Sequence, residues 1–234
     1  MALLNKLPWF RKPHPILEQN MRLFDDFDQG KPLQNYEFVV CDTELTGLNK
    51  RKDEIISIGA VKIVNLQVVL SDTFYTLVKP KKITPSKATL VHRITPEELE
   101  KAKTIEEVLP DFIDYLGSSL LVGHFVTIDV HFLNKACKKF LGGTLSNPNI
   151  DTMRLAKAYR ERKCRTSFGG HCDMSDSYSL DNLVEEFELP RFKPHNALED
   201  ALQTAYLFLF LIKKMRKGGV KTLRELYKAG RSPL

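Results

Sequence analysis

The spacing of hydrophobic and polar positions changes along the chain. From Tyr36 to Leu48 (Y-E-F-V-V-C-D-T-E-L-T-G-L) an uncharged, β-rich run ends abruptly in two acids. A run without charge predicts a strand covered on both faces, here Glu37 to Asp42. Ile55 to Val64 and Leu66 to Val78 read as two further strands, and the tight turn near Asn65 makes them an antiparallel hairpin. The period then lengthens. Thr95-Pro96-Glu97-Glu98 has the N-cap, first-turn proline and early acids of a helix start. Thr104-Ile105-Glu106-Glu107 opens a second helix with capping-box spacing. Its apolar face is Val108, Phe112, Ile113, Tyr115 and Leu116. Leu120 to Gly123 is a fourth strand, Ile128 to Phe140 a helix and Asn149-Ile150 a fifth strand. Asp151 opens a helix through Tyr159, and Ser179 caps one through Phe187. A long helix begins at Asn196 or Ala197, runs to about Lys217 and stops at Gly218-Gly219. Lys221 to Lys228 is a last short helix. Strands first, then strands alternating with helices, predict an α/β chain: a mixed five-stranded sheet with helices on both faces.

The same pattern divides the chain. Residues 1–35 read as an N-terminal extension, broken by Pro8, Pro13 and Pro15. Within it Ile16 to Phe27 is a short amphipathic helix expected to pack Met21, Leu23 and Phe24 on the main domain. Residues 36–217 form that domain, and 218–234 are a C-terminal helix and tail. Pro80 to Pro85 is a basic loop, Ser86 to Val91 one helical turn, and 160–178 a polar, Gly-containing loop expected to be mobile.

Composition narrows the function classes. At 234 residues, with 43% hydrophobic and 27% charged positions, the chain suits one soluble domain with a real core. A formal charge of +6 is compatible with a polyanionic partner. The four cysteines are scattered and form no disulfide framework, which favours a reducing cytoplasm. No apolar run has the length of a membrane span, and the first residues lack the apolar core of a signal peptide.

The chemistry starts at strand one. Alternation sends Asp42 and Glu44 to the same side. Two buried like charges are unfavourable unless a cation lies between them, and hard oxygen donors suit Mg²⁺ or Mn²⁺. Thr46-Gly47-Leu48 turns the chain, and Gly47 permits close approach of a ligand. Two more acids sit in distinctive surroundings: Asp129 in L-V-G-H-F-V-T-I-D-V-H-F-L, and Asp200 in P-H-N-A-L-E-D-A, with His195 five residues before it. Cys164, His171, Cys172 and Asp173 have no common zinc-finger spacing, and no nucleophile elbow marks a small-molecule hydrolase.

Over about residues 36–215 these three motifs, with V-H-R-I-T at 91–95, resemble the DEDDh-type 3′→5′ exonucleases, which include the proofreading (epsilon) subunit of bacterial DNA polymerase III. The resemblance implies a ribonuclease-H-like fold and two divalent cations, Mg²⁺ or Mn²⁺. Asp42 (bridging), Glu44 and Asp200 would hold them, Asp129 would complete the second site directly or through water, and His195 would act as general base. Thr43, Thr46, Gly47, Leu48, His92 and His124 are the implied substrate-binding residues, with Leu48 wedged beside the last base. The implied reaction releases nucleoside 5′-monophosphates from the 3′ end of single-stranded nucleic acid, DNA in preference to RNA, in proofreading or repair. The implied partner is a polymerase subunit. Gln19 to Phe24 faintly resembles the peptides that dock on sliding clamps. The alternatives are a 3′→5′ exoribonuclease and a non-catalytic nucleic-acid- or polymerase-binding module on the same fold. Two departures stand out: Phe125 and Ile128 replace the family's usual residues around the second motif, and Arg93 stands where glycine is frequent.

Overall fold

The computed structural model describes residues 12–83, 92–166 and 177–230. Among these residues, six strands form one sheet: β1 (Phe38–Leu45), β2 (Ile55–Val64), β3 (Gln67–Lys79), β4 (Lys103–Thr104), β5 (Leu120–Gly123) and β6 (Asn149–Asp151). Their order across the sheet is β4-β3-β2-β1-β5-β6. β1 to β3 pair antiparallel, and β5 joins β1, and β6 joins β5, in parallel. The expected five strands become six. The addition, β4, is a two-residue parallel bridge to Val78 and Lys79. Both its residues are exposed, so it leaves no hydrophobic signature in the sequence.

The helices are α1 (Pro15–Arg22), α2 (Pro96–Lys101), α3 (Ile105–Leu116), α4 (Thr127–Phe140), α5 (Thr152–Thr166), α6 (Leu180–Glu186), α7 (Ala197–Lys217) and α8 (Leu223–Gly230). The expected Thr95 cap forms, as a capping box with Glu98, and so does the expected Thr104/Glu107 capping box. Alternation along β1 splits the core in two. Phe38 and Val40 pack with Ala201, Ala205 and Phe208 of α7. Val39 and Cys41 pack with Phe112 of α3 and Phe132 of α4 on the opposite face. Helices therefore cover both faces, as the pattern predicts, and Phe38 to Cys41 of β1 are buried on both sides. The segments flanking the main domain join the same body. Leu17 is buried in the α3/α4 cluster, Pro32 bridges Thr222, and Leu223 and Leu226 are buried beneath α7.

Several boundaries move. β1 continues to Leu45, so its two acids lie inside the strand rather than at its end. Pairing of Asp42 with Gly59 and Glu44 with Ser57 carries the ladder past them. α5 continues to Thr166, so the first third of the expected 160–178 loop is helical. Arg160 is anchored to Glu186, and Arg162 donates to the Gly218 carbonyl at 2.6 Å. α1 ends at Arg22, and the residues it buries are Leu17 and Asn20. Met21 and Leu23, expected to pack, are 55% and 46% exposed. Asn20 makes the contact instead, donating to Asn147 at 2.8 Å and accepting from the Ser146 N–H at 2.9 Å. Cys164 is disulfide-bonded, against the expectation of reduced cysteines, whereas Cys41 and Cys137 are free and buried. The Ser86–Val91 turn, the cluster partners His171, Cys172 and Asp173, residues 1–11 and the tail 231–234 lie outside the described residues. Among those described, no helix is long and apolar enough to cross a membrane.

Candidate active site and metal centre

Asp42 and Glu44 leave β1 on the same face as Phe38 and Val40, the face covered by α7. Asp200 projects from the first turn of α7 toward them. One carboxylate oxygen from each of Asp42, Glu44 and Asp200 lies within 4.8 Å of the others. What brings α7 so close is a missing side chain. Gly59 pairs with Asp42 across the ladder, and a Cβ there would lie 2.1 Å from the Ala197 carbonyl carbon. Only glycine leaves room for the main chain at the start of the helix. Gly59 went unnoticed as a site residue in the sequence, although glycine inside a strand is the known mark of a close backbone approach. Asn196 then caps α7, accepting from the Leu198 and Glu199 N–H groups at 3.1 and 3.2 Å.

Asp129 reaches the cluster from the other face. Thr43 donates to its Oδ1 from both the main-chain N (3.0 Å) and the hydroxyl (2.6 Å). Thr43 is buried, so in this structure it positions Asp129 rather than presenting itself to a ligand. Asp129 stands outside the trio of converging oxygens but is the nearest charge in effect on Asp42. Burial first, then Asp129, Asp200 and Glu44, push the Asp42 carboxyl well above its usual range. Burial, then Asp200 and Asp129, raise Glu44 to about 7. Burial raises Asp129 to about 7 against the opposing Thr43 bonds, and raises Asp200 to about 6. Buried, mutually repelling carboxylates with only oxygen donors are the environment a hard divalent cation relieves. The residues present fit Mg²⁺ or Mn²⁺.

His195 is exposed at the mouth of α7, with a positive φ of 64°. Its N–H donates to Asp200 Oδ2 at 2.9 Å. The acid that joins the cluster thus also fixes the main chain carrying the imidazole. A non-glycine residue at positive φ is unusual and costs free energy that surrounding contacts must offset.

The turn after β1 is clamped by an acid the sequence reading passed over. Asp53 accepts from the Thr46 hydroxyl (2.9 Å) and the Asn49 N–H (2.7 Å). A Cβ on Gly47 would lie 2.6 Å from its carboxylate. This holds Leu48 out, 73% exposed, beside the strand end. The two other candidate histidines are committed to the fold. His124 has Thr152 Oγ1 and the Tyr178 carbonyl at 2.8 Å on its two ring nitrogens. His92 is buried, and its Nδ1 accepts from the Ile94 N–H at 3.1 Å. Burial lowers the pKa of both. Arg93 has φ 60°, which explains why glycine suits that position. Phe125 has φ 54° and is 39% exposed.

Residues 39–208 match the model of the family described as Exonuclease. The chain is 40% identical over 193 residues to a PolC-type DNA polymerase III of Thermotoga petrophila, covering 82% of this chain and 13% of that protein. It therefore spans only a small part of that relative's length. It is 35% identical over 178 residues to the DNA polymerase III subunit epsilon of Aquifex aeolicus, covering 76% of this chain and 81% of the relative. Among solved structures it resembles Exonuclease X in complex with 5′ overhanging duplex DNA, with a TM-score of 0.58 and 25% identity over 82% of this chain and 99% of that one. The ribonuclease-H-like fold anticipated from the motifs is thus the observed one, and the chain belongs to the exonuclease family to which the epsilon subunit of DNA polymerase III is related.

Proposed function

We propose that the chain is a metal-dependent 3′→5′ exonuclease that releases nucleoside 5′-monophosphates, acting on DNA in proofreading or repair. The convergence of Asp42, Glu44 and Asp200 carries the proposal. When bound there, divalent cations would polarise the scissile phosphate and lower the pKa of an attacking water. Asp42, Glu44 and Asp200 would hold them, and Asp129, oriented by Thr43, would complete the set. His195 would accept the water's proton, a task suited to imidazole near neutral pH. The exposed Leu48 would meet the terminal base, and the main chain of the clamped turn the sugar. The epsilon-subunit relative supports a DNA polymerase partner and a cytoplasmic site of action. The 5′ overhanging duplex bound by Exonuclease X, whose 3′ end is recessed, supports DNA as substrate.

The test uses matched DNA and RNA oligonucleotides labelled at the 5′ end, single-stranded and as 5′-overhang duplexes, with Mg²⁺ or Mn²⁺. Shortening from the 3′ end with release of 5′-monophosphates, strongly reduced in His195→Gln, supports the reading. Internal cuts, or equal digestion by the variant, contradict it. Faster digestion of RNA than of DNA would make the enzyme an exoribonuclease.

A further inference from the structure

A groove of about 750 Å³ runs between the last turns of α7, the turn joining β2 to β3 and the segment Pro32 to Gln34. It lies toward the end of the sheet opposite the acids. Asn65 and Leu66 turn the chain after Val64, the last residue of β2, whereas Asp42 and Glu44 pair with Gly59 and Ser57. Along α7, Lys213 stands about 20 Å beyond Asp200 at the helical rise of about 1.5 Å per residue.

The walls are held in place. The Leu33 N–H donates to the Lys221 carbonyl at 3.1 Å, and Pro32 bridges Thr222. Leu33 and Ile212 are buried at the floor, and Leu66 and Leu209 are half-buried beside them. The turn itself is unusual. Asn65 and Leu66 have φ 51° and 58°, a pair of positive values in which asparagine and then glycine fit best. Leucine at the second place sets an apolar side chain in the wall at a cost in backbone free energy.

The rim is cationic. Lys213, Arg216, Lys217 and Lys221 line it, all exposed, and no acidic side chain does. Among the described residues none of the four is in an ion pair. Arg216 reaches only the Gln34 amide oxygen, at 3.4 Å. Glu225 is nearby, but its Oε2 already accepts from the Lys221 and Thr222 N–H groups at 2.7 and 2.9 Å.

Four cations around an apolar floor select among occupants. A polynucleotide needs cations along its path and rings for its bases. From Ala201 to Ile212, between the acids and the groove, α7 carries no lysine or arginine, and no aromatic residue lines the groove. The chain's own ends do not match the rim either: residues 1–11 and 231–234 contain Lys6, Arg11 and Arg231 but no aspartate or glutamate. A polypeptide with acids beside apolar residues matches both rim and floor.

We propose that this groove docks a partner protein through a short segment that combines aspartate or glutamate with large apolar side chains. The carboxylates meet Lys213, Arg216, Lys217 and Lys221, and the apolar side chains cover Leu66 and Leu209. The groove lies clear of Asp42, Glu44 and Asp200, so the partner can be held while their site is occupied.

The test selects short random peptides displayed on phage against the full chain, with depletion on Lys213→Gln/Lys217→Gln. The most enriched peptide is labelled, and its binding is followed by fluorescence anisotropy across a salt series. It is compared on the full chain, on that variant, on Leu66→Gly and on Lys101→Gln/Lys138→Gln, which removes equal charge from α2 and α4. Leu66→Gly suits the left-handed backbone and deletes the apolar wall. Thermal unfolding records that each variant is folded. The expected peptides are rich in acidic and large apolar residues. Their affinity falls with salt and is about tenfold weaker for Lys213→Gln/Lys217→Gln. It is about tenfold weaker for Leu66→Gly, which loses apolar contact, and unchanged for Lys101→Gln/Lys138→Gln. Selected peptides without acids, full affinity in Leu66→Gly or an equal loss in Lys101→Gln/Lys138→Gln would overturn the proposal. So would oligothymidylate binding that Lys213→Gln/Lys217→Gln abolishes, which would assign the groove to nucleic acid, or a dimer of the full chain that this variant lacks, which would assign it to a second copy.

Discussion

The main chain of Ala197 occupies the space a side chain on Gly59 would need: an added Cβ would lie 2.1 Å from the Ala197 carbonyl carbon. The contact sets the distance between Asp42, which pairs with Gly59, and Asp200, one helical turn into α7. Backbone cannot yield as a flexible side chain does. Gly59→Ala is therefore expected to lift the start of α7 and separate the carboxylates. Overpacking of this kind costs about 1–3 kcal/mol of stability, and a displacement of about 1 Å at a catalytic group costs about a hundredfold in rate. Denaturant unfolding together with kcat on single-stranded DNA checks both. A variant with wild-type kcat would show that α7 has slack that the structure does not.

Thr43 holds Asp129 twice, and the two bonds can be separated. Thr43→Val keeps the shape and the main-chain N–H but removes the hydroxyl. Bonds to charged groups contribute about 1.5–3 kcal/mol. With one of the two retained, the expected loss of kcat is about tenfold. The KM for DNA should stay within about twofold, since Thr43 is buried and uniform binding is untouched. A rise in KM alone would place Thr43 against the substrate instead.

Asp53 acts on the turn rather than on the acids. Asp53→Ala removes the carboxylate that accepts from the Thr46 hydroxyl and the Asn49 N–H. The exposed Leu48 loses its fixed position, so KM is expected to rise about fivefold, with a smaller fall in kcat. Steady-state kinetics on single-stranded DNA decide between this and a purely structural effect, which would lower Tm and leave KM alone.

Burial, with repulsion from Asp200 and Asp129, raises Glu44 to about 7, and burial above all raises Asp129 to about 7 and Asp200 to about 6. In the unfolded chain such groups titrate near 4. The folded protein therefore binds more protons between these values, and stability present at about pH 4 is lost as pH rises through about 6–7. In EDTA, Tm should fall over that window. Added Mg²⁺ should raise Tm, and more so at higher pH, because the ionised carboxylates bind it. Calorimetric scans across pH with and without the ion test this. A Tm flat with pH in EDTA, or an Mg²⁺ effect independent of pH, would mean the acids are less strongly coupled than their positions imply.

How far the sequence carried the reading depends on the kind of signal. The uncharged run before Asp42 marked β1 as a strand covered on both faces, and the structure places it inside the sheet. Asn196 and the apolar run behind it located the start of α7 to within one residue. Those signals are local. What escaped was set by contact across the fold. β4 is a bridge of two exposed residues with no pattern to read. Arg160 and Arg162 look like loop residues until Glu186 and the Gly218 carbonyl are seen beside them. Thr43 reads as a neighbour of the acids, yet its partner is 86 residues away. His124 sits in a motif that suggests a ligand role, but its two nitrogens face Thr152 and Tyr178, which only the folded chain brings near.

The account depends on Asp42 more than on any other side chain, since Asp129, Asp200 and Glu44 all raise its pKa. The most direct measurement is Mg²⁺-dependent digestion of a 5′-labelled single strand by Asp42→Asn beside the wild type, with unfolding of both recorded. The variant is expected to lose at least about a thousandfold in rate, while its metal-free form is as stable as the wild type or more so, because a buried charge has gone. Digestion at the wild-type rate by a folded Asp42→Asn protein would contradict it.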